Sequence, residues 1–375
     1  MRTLALLVGA LAGCPGAKRP QPTVAFDRAL GDGTLHGVAP DAIAAITRGD
    51  ITTIQAPAWH ADLAGNGGPL ARAGALVVAA AASIGPQADA QGSPAAQLTA
   101  LDATTGAERW RRLFEASDWV IATALAGMGD DALVGGSFSG TLRVQDKVVS
   151  SGGRADGFVA RLTARGDVAW LVRVGGPSAD AVQGLAVSDN RIAIAGTFGA
   201  GADLLGTVLP AADERSPLAD GFVAELASDG TRRWSATFGG KGEDAVAGVA
   251  IDGAGRFVVA ATARGSVTAG GGELAAQGPA DGLLVWFDHE GERSDALLVG
   301  DAGFDGLSAI VATHGRIVVA GFHGDAGFLA SYDGARKLGT WPLAGEVTAL
   351  AALPHGVLAG VASPKGIALL ARDVP

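Results

Sequence analysis

The sequence is poor in cysteine, in aromatic residues and in long apolar runs, and each shortage excludes a class of protein. Cys14 is the only cysteine, so the chain cannot form an internal disulfide or a multi-thiolate metal site. Aromatic residues make up 5% of a chain that is 48% hydrophobic, which predicts a core built from Ala, Val, Leu and Ile. Beyond Cys14, no stretch reaches the roughly 18 apolar residues that a membrane-spanning helix needs.

Basic residues are also scarce, while glycine is abundant. The net charge of −10 and the isoelectric point near 5.0 exclude a nucleic-acid-binding protein, which needs clustered Lys and Arg against phosphates. The 58 glycines favour short strands joined by tight turns. A chain of 375 residues is too long for one compact core, so it must divide into domains or repeat a small unit.

The N-terminal residues form a recognisable targeting pattern. Met1 and Arg2 give a short positive region, Thr3 to Leu11 an apolar region, and Leu-Ala-Gly-Cys a small-residue cleavage zone that ends at Cys14. The pattern resembles a bacterial lipoprotein signal with its lipobox, which implies cleavage before Cys14 and a diacylglyceryl group on its sulfur. The alternative is a buried N-terminal helix that carries a chance cysteine.

This resemblance predicts three segments. Residues 1–13 are the lipoprotein signal peptide, and residues 14–22 are the lipidated cysteine and a flexible, proline-rich tether. Residues 23–375 are the folded domain. Several acyl chains on one cysteine would anchor the protein stably to a membrane.

An internal repeat dominates the rest of the chain. Residues 156–176 read DGFVARLTARGDVAWLVRVGG, and residues 220–240 read DGFVAELASDGTRRWSATFGG. Weaker copies begin near residues 96, 282 and 327. The repeated tryptophan is Trp110, Trp170, Trp234 or Trp341, and Asp295 takes its place in the copy that begins near 282.

Each copy contains four runs of five to seven residues, with alternating polarity, β-branched side chains and bounding glycines. These features predict strands, and each unit is therefore expected to be a four-stranded antiparallel meander. Repeats of about 40 to 60 residues with four strands each indicate an all-β fold, the β-propeller, in which blades stack radially. The repeated tryptophan is expected to pack between adjacent blades.

The two ends of the chain complement each other. Residues 366–370 copy the first strand of the unit and then the chain stops, while residues 25–31, 35–39 and 42–46 match strands 2, 3 and 4. We expect C-terminal strand 1 and N-terminal strands 2–4 to form one blade that closes the ring and removes its free edges. With a blade at 50–82 the count is seven, and a different division of 42–55 would give six. A sandwich or a solenoid leaves these ends unexplained.

The repeat also resembles known families. The pattern DGFVA-x-L-x-x-x-G-x-x-x-W followed by Gly-Gly resembles the bacterial β-propeller repeat called SBBP, which implies a propeller in an extracytoplasmic setting and no particular reaction. Residues 101–110 resemble the repeat of quinoprotein dehydrogenases and of the outer-membrane assembly lipoprotein BamB. The adjacent cysteines of quinoproteins are missing, so we expect a protein that is not an enzyme.

Aspartates recur at one predicted end of the ring. They precede strand 1 or lie in the loop between strands 2 and 3, and they are Asp118, Asp156, Asp180, Asp220, Asp244, Asp281 and Asp305. Such carboxylates could bind Ca²⁺ or attract a cationic partner, or they could simply accept hydrogen bonds from turn N–H groups. The six histidines show no metal-ligand spacing, so no cofactor other than Ca²⁺ is suggested.

Together these patterns predict a non-catalytic, lipid-anchored β-propeller of the bacterial cell envelope, exported and monomeric, at the outer membrane or facing the periplasm. One end of the ring is expected to collect the long loops, and this long-loop face is expected to hold a protein or glycan partner. The alternatives are a BamB-like envelope assembly factor and a hydrolase or lyase with its site at the channel mouth.

Overall fold

The computed structural model describes residues 24–48, 51–83, 95–211, 219–269, 272–354 and 356–374. The predicted signal peptide, Cys14 and the tether lie outside the described residues. Every regular element of the described residues is a strand, because the sequence alternates with period two between glycine turns. This part of the chain therefore contains no helix with the length and apolar character needed to cross a membrane.

Short strands follow one another along the whole of the described chain. The first nine are β1 (Val24–Gly31), β2 (Thr34–Ala39), β3 (Ile43–Arg48), β4 (Ile51–Gln55), β5 (His60–Ala64), β6 (Asn66–Ala73), β7 (Leu76–Ser83), β8 (Ala95–Asp102) and β9 (Glu108–Ala116). The next nine are β10 (Trp119–Met128), β11 (Asp131–Ser139), β12 (Thr141–Val144), β13 (Lys147–Ser150), β14 (Asp156–Leu162), β15 (Val168–Gly175), β16 (Ala181–Ser188), β17 (Arg191–Phe198) and β18 (Asp203–Leu204). The last fifteen are β19 (Asp220–Leu226), β20 (Arg232–Gly240), β21 (Ala245–Ile251), β22 (Phe257–Ala263), β23 (Ser266–Ala269), β24 (Gly272–Ala275), β25 (Asp281–Phe287), β26 (Arg293–Val299), β27 (Asp305–Thr313), β28 (Arg316–His323), β29 (Ala326–Asp333), β30 (Arg336–Leu343), β31 (Glu346–Leu353), β32 (Gly356–Ser363) and β33 (Gly366–Asp373).

These strands form seven antiparallel sheets in a ring, and each sheet is one blade with four main strands. The blades are blade 1 (β2–β5), blade 2 (β6–β9), blade 3 (β10, β11, β14, β15), blade 4 (β16, β17, β19, β20), blade 5 (β21, β22, β25, β26), blade 6 (β27–β30) and blade 7 (β31–β33 and β1). The prediction of a seven-bladed β-propeller is confirmed, and the six-bladed alternative is wrong.

The division of the repeat into blades differs from the sequence prediction by two strands. The segment DGFVARL, predicted as strand 1, is β14. It forms the third strand of its blade when the strands are counted outward from the axis of the ring. The segment AVQGLAV lies in β16, the innermost strand of the next blade. A sequence repeat fixes the period of a chain but not the point where hydrogen bonding between strands stops, so the phase could not be read from the repeat.

The ring is closed by strands from both ends of the chain, in a different proportion from the one predicted. β33, which contains the predicted C-terminal strand, pairs with β1 from Val24 to Gly31, so the two ends do share a blade. Blade 7, however, takes three strands from the C-terminus and one from the N-terminus. The assignment of residues 35–39 and 42–46 to the closing blade is wrong, because β2 and β3 belong to blade 1.

The repeated tryptophan lies between blades, as predicted. Trp110 on β9 donates a hydrogen bond from Nε1 to the carbonyl of Ala164 in blade 3 (3.1 Å), and only 7% of its surface is exposed. Gly166, in the same turn of blade 3, has a φ of +80°, and a Cβ there would lie 2.7 Å from the Trp110 ring. The same arrangement recurs for three further pairs: Trp59 with Gly106, Trp170 with Gly230, and Trp234 with Gly291. The glycine and tryptophan of the repeat are therefore partners across a blade junction.

Three consecutive blades also send part of a loop onto the preceding blade. The hairpin of β12 and β13 extends the sheet of blade 2 by pairing with β9. β18 pairs with β15 of blade 3, and the hairpin of β23 and β24 pairs with β20 of blade 4. These additions cover outer strands that would otherwise present free edges.

Candidate functional site

One end of the ring collects the long connections, and we call it the long-loop face. The innermost strands begin at this end, and the connections between the second and third strands of blades 3, 4 and 5 emerge there. These connections are residues 140–155, 199–219 and 264–280. The first of them contains a hairpin, formed by β12 and β13.

The predicted aspartates differ in burial. Asp118 is exposed on this face and accepts a hydrogen bond from the hydroxyl of Ser139 (3.0 Å). The other six are at most 5% exposed and lie in pairs at three consecutive blade junctions. The pairs are Asp156 with Asp180, Asp220 with Asp244, and Asp281 with Asp305.

The pair between blades 3 and 4 is held by backbone N–H groups. Asp180 accepts hydrogen bonds from the N–H groups of Gly176 (2.8 Å) and Gly199 (2.9 Å). Asp156 accepts one from Gly152 and forms an ion pair with Arg173 (2.7 Å). Burial raises the pKa of Asp180 to about 6, and the Asp156 charge raises it as well, while the two N–H donors act in the opposite direction.

Gly175 explains why the Gly-Gly of the repeat is kept. A Cβ at Gly175, whose φ is +151°, would lie 2.7 Å from Cγ of Asp156 and 2.8 Å from Oδ2 of Asp180. The first glycine thus leaves room for two carboxylates, and the N–H of the second, Gly176, binds one of them. The repeat therefore encodes the aspartate pairs of these three junctions as well as the tryptophan contact.

The pair between blades 4 and 5 is less well neutralised. Asp244 is 1% exposed, and neither of its carboxylate oxygens accepts a hydrogen bond with good geometry. Burial raises the pKa of Asp244 to about 7, with a further contribution from the Asp220 charge. The amides of Arg264 and Gly240 are near enough to lower it only in part.

In the pair between blades 5 and 6, one aspartate contacts a histidine. Nδ1 of His323 lies 2.9 Å from Oδ1 of Asp305, and the His323 ring stacks on Phe328 with the centroids 4.6 Å apart. Asp281 is fully buried, and its Oδ1 has no hydrogen-bond partner in the protein. Within the described ranges, no three His, Cys, Asp or Glu side chains come together in a way that could hold a metal ion. Ca²⁺ binding by these carboxylates stays an alternative to the turn hydrogen bonds that the sequence also predicts for them.

A channel of about 410 Å³ runs along the axis of the ring and is lined by the seven innermost strands. Each of these strands has a register irregularity near its start, where at least one residue is skipped in the pairing with the second strand. Such bulges redirect side chains. Five of the bulged positions carry a polar residue that lines the channel: His36, Thr123, Gln183, Ser308 and Thr348.

These five residues, which we call the polar collar, were missed by the sequence reasoning. Their signal is a single polar residue between an apolar and a small residue within an innermost strand, as in Val182-Gln183-Gly184 and Val347-Thr348-Ala349. An analysis that assumes strict period-two alternation overlooks this signal, because a bulge changes the side of the sheet on which the following side chains lie. The small residue is also explained, since a Cβ at Gly184 would lie 2.8 Å from the Val249 nitrogen of the next blade.

Large apolar side chains are exposed mainly at the long-loop face and in its connections. Trp119 (37% exposed) and Ile121 (48%) stand at the start of β10, and Phe304 (47%) lies between blades 5 and 6. Ile51 stands at the start of β4, and Val148 and Val208 belong to the long connections. Leu113, on an outer strand, is the exception among the described residues.

Comparisons with known proteins support the fold. No protein-family model matches the chain, and no curated protein matches it significantly. Solved structures do match: BamB from Moraxella catarrhalis has 16% identity and a TM-score of 0.51, covering 94% of this chain and 100% of that one. A chain of the mitotic checkpoint complex has 13% identity and a TM-score of 0.56, covering 100% and 99%. The β-propeller domain of the Trilobed protease from Pyrococcus furiosus has 10% identity and a TM-score of 0.51, covering 93% and 95%. Likeness at these identities establishes the propeller fold alone, and the resemblance to the SBBP repeat stays a prediction.

Proposed function

We propose that this propeller is a non-catalytic binding scaffold of the bacterial cell envelope, which holds a protein or glycan partner on its long-loop face. The observation that supports the proposal most is the placement of exposed apolar side chains. Trp119, Ile121 and Phe304 stand at strand ends or turns of that face, where burial against a partner would remove them from water.

The non-catalytic part of the proposal rests on the channel chemistry. His36 is the single ionisable side chain among the channel-lining residues that the structure describes. A hydroxyl nucleophile is activated by a base within hydrogen-bond reach, and Nε2 of His36 has no hydrogen-bond partner in the protein. A hydrolase or lyase site at the channel mouth is therefore disfavoured.

The location in the envelope rests on the sequence. The lipobox ending at Cys14 supports export and lipid anchoring, and the SBBP-like repeat supports an extracytoplasmic setting. A monomer is consistent with a ring whose two ends close on each other through β1 and β33. Replacing Cys14 with Ser should release the protein into the soluble periplasmic fraction. Retention of the Cys14→Ser variant in the membrane fraction would contradict the anchor.

A BamB-like assembly factor is the second candidate. It would share the lipid anchor and the propeller, and the likeness to BamB from Moraxella catarrhalis extends over the whole of that chain. At 16% identity this likeness concerns the fold, so the partner must be identified directly. A partner that is itself an outer-membrane assembly protein would favour this candidate over a general scaffold.

Site-specific photo-crosslinking in intact cells tests the proposal. A photoreactive amino acid would be placed at Ile121 or Phe304 on the long-loop face, and at Asp189 as the control. Asp189 is also exposed but lies in the β16–β17 turn on the opposite face. We expect a discrete crosslinked partner from the first two positions and none from Asp189. Equal crosslinking from both faces, or none from either, would contradict the proposal.

A further inference from the structure

The channel is distinct from the long-loop surface because its lining carries almost no charge. No Asp, Glu, Lys or Arg lines it among the described residues, although the chain as a whole is 18% charged. Burial lowers the pKa of His36, which keeps the one ionisable group of the lining neutral near pH 7. A charged ligand would find no counterion here, and transfer of its charge from water would be costly.

The polar collar has free hydrogen-bonding capacity. Nε2 of His36, Oε1 of Gln183 and Oγ1 of Thr348 are buried atoms without a partner in the protein. An occupant that pairs with several of these atoms makes hydrogen bonds that the protein itself leaves unmade. The three residues come from the neighbouring blades 7 and 1 and from blade 4 across the ring, so the free groups lie on two sides of the channel.

The two remaining members of the collar are held in fixed orientations. The hydroxyl of Thr123 donates to the carbonyl of Val182 (2.5 Å), and the hydroxyl of Ser308 donates to the carbonyl of Val347 (2.7 Å). Each bond joins one innermost strand to the next. With the hydrogen engaged, each oxygen presents lone pairs to the channel, so the collar offers both acceptors and, at Thr348, a donor.

Below the collar the wall becomes apolar. Leu125, Leu185, Val249, Ile310 and Leu350 line the next level of the channel. The channel thus combines a ring of neutral hydrogen-bonding groups with an aliphatic stretch of wall, in a volume of about 410 Å³. That volume falls within the roughly 300–1,000 Å³ typical of small-molecule sites.

We infer that the channel binds a neutral, hydroxyl-rich ligand of the sugar class, with its hydroxyl groups on the polar collar and its C–H face on the aliphatic stretch of the wall. Hydroxyl groups both donate and accept, as the mixed collar requires. The site is separate from the exposed apolar side chains of the proposed partner face. It can therefore exist whether or not that partner does.

Isothermal titration calorimetry on the full chain in detergent tests the inference. The probes are the neutral sugars glucose, galactose and N-acetylglucosamine, with glucuronate as a charged counterpart. We expect saturable binding of at least one neutral sugar, and binding of glucuronate weaker by about tenfold or more because its carboxylate has no counterion. Absence of binding by all three neutral sugars at their solubility limit would overturn the inference.

Two near-isosteric variants and a matched control locate the site. Gln183→Leu and Thr348→Val should each weaken sugar binding about tenfold, since each removes one hydrogen-bonding group from the collar. Thr340→Val, on the exposed outer strand β30, should leave the affinity unchanged. If one collar variant proves unstable in a thermal melt, the other still decides. Unchanged affinity in both stable variants would overturn the assignment.

The source of the sugar is distinguished by ligand length. A free monosaccharide should bind as tightly as its methyl glycoside if the channel takes small ligands. An oligosaccharide with the same terminal sugar should bind tighter if the site captures glycan ends. Persistence of the in-cell crosslinks at Ile121 and Phe304 in the Gln183→Leu variant would show that the partner face works independently of the channel.

Discussion

The junction between blades 2 and 3 and the junction between blades 5 and 6 descend from one repeat but are filled differently. At the first, Trp110 packs on Gly166, and the hairpin of β12 and β13 covers the outer strand. At the second, Asp295 stands in the tryptophan position, and the connection before β29 is only two residues long. A cleft of about 440 Å³ opens there, lined in part by Leu297, Phe328 and Lys337.

The large aromatic side chains of the second junction are buried between the sheets. Trp286 on β25 and Tyr332 on β29 are fully buried, with ring centroids 6.5 Å apart. Burial raises the pKa of Tyr332 to about 12. Gly334 keeps its positive φ of +57° although it faces the guanidinium of Arg256 instead of a tryptophan. The backbone conformation of this turn therefore requires glycine even where no tryptophan packs on it. The tryptophan contact is a second feature of the repeat, independent of the turn.

Replacing Trp110 with Ala should give the largest loss of stability. The side chain is 7% exposed and contacts two blades, so its removal should cost about 3–5 kcal/mol of unfolding free energy. Chemical denaturation monitored by circular dichroism measures the difference. Trp119→Ala is the control, because that ring is 37% exposed and should cost less than about 1 kcal/mol. Similar losses in the two variants would contradict the junction role.

Replacing Gly166 with Ala should cost somewhat less. A Cβ there meets the Trp110 ring at 2.7 Å, and φ is +80°, so overpacking and backbone strain combine to about 2–4 kcal/mol. Gly265 has a φ of +77° with nothing within 4 Å of its Cβ position, so Gly265→Ala should cost only the backbone share, about 1 kcal/mol. Equal unfolding midpoints for the two variants would show that contact with the tryptophan carries no energy.

Replacing Asp244 with Asn should change how stability depends on pH. The folded pKa of about 7 lies above the unfolded value of 3.8. The stability this group contributes is therefore fully present below pH 3.8 and is lost as pH rises through about 7. With chelator present, the free energy of unfolding of Asp244→Asn relative to the natural chain should rise by about 2–3 kcal/mol between about pH 5 and pH 8. A constant difference across this range would be inconsistent with a buried, unpaired carboxylate.

Replacing Asp295 with Trp should make the second junction resemble the first. If the indole fills part of the cleft, the unfolding free energy should increase by about 0.5–2 kcal/mol, as for other cavity-filling changes. Asp295→Ala separates the loss of the carboxylate from the gain of the ring. A decrease in the Trp variant relative to the Ala variant would mean that Trp286 and Tyr332 have already taken the available space.

Removing Ca²⁺ should have the smallest effect. Both oxygens of Asp180 already accept backbone hydrogen bonds, so we expect the same thermal midpoint with chelator and with millimolar Ca²⁺. A ligand that binds only the folded state must raise that midpoint. A rise with Ca²⁺ that disappears in Asp244→Asn would instead place a cation between blades 4 and 5.

The sequence by itself determined the fold class and the pairing of the chain ends, and it narrowed the number of blades to six or seven. Period-two alternation, glycine turns and a tryptophan in most repeats are local features, and they survive even where copies have diverged. The predicted lipobox is likewise local, because a signal peptide is read as a linear segment. The repeated Asp and Gly-Gly could be recognised as structural elements of one loop, although their partners could not be named.

The tertiary structure decided what these residues face. Only the hydrogen bonds between strands show that DGFVA lies in the third strand of a blade. The tryptophan that follows it therefore lies at the outer side of that blade, where it packs on the glycine of the next blade. Only the ring brings Asp220 beside Asp244, where burial and the Asp220 charge together raise the pKa of Asp244. The polar collar depends on a bulge that is repeated in all seven innermost strands. A bulge reverses the period-two alternation, so the side of the sheet on which each side chain lies cannot be inferred from the sequence pattern.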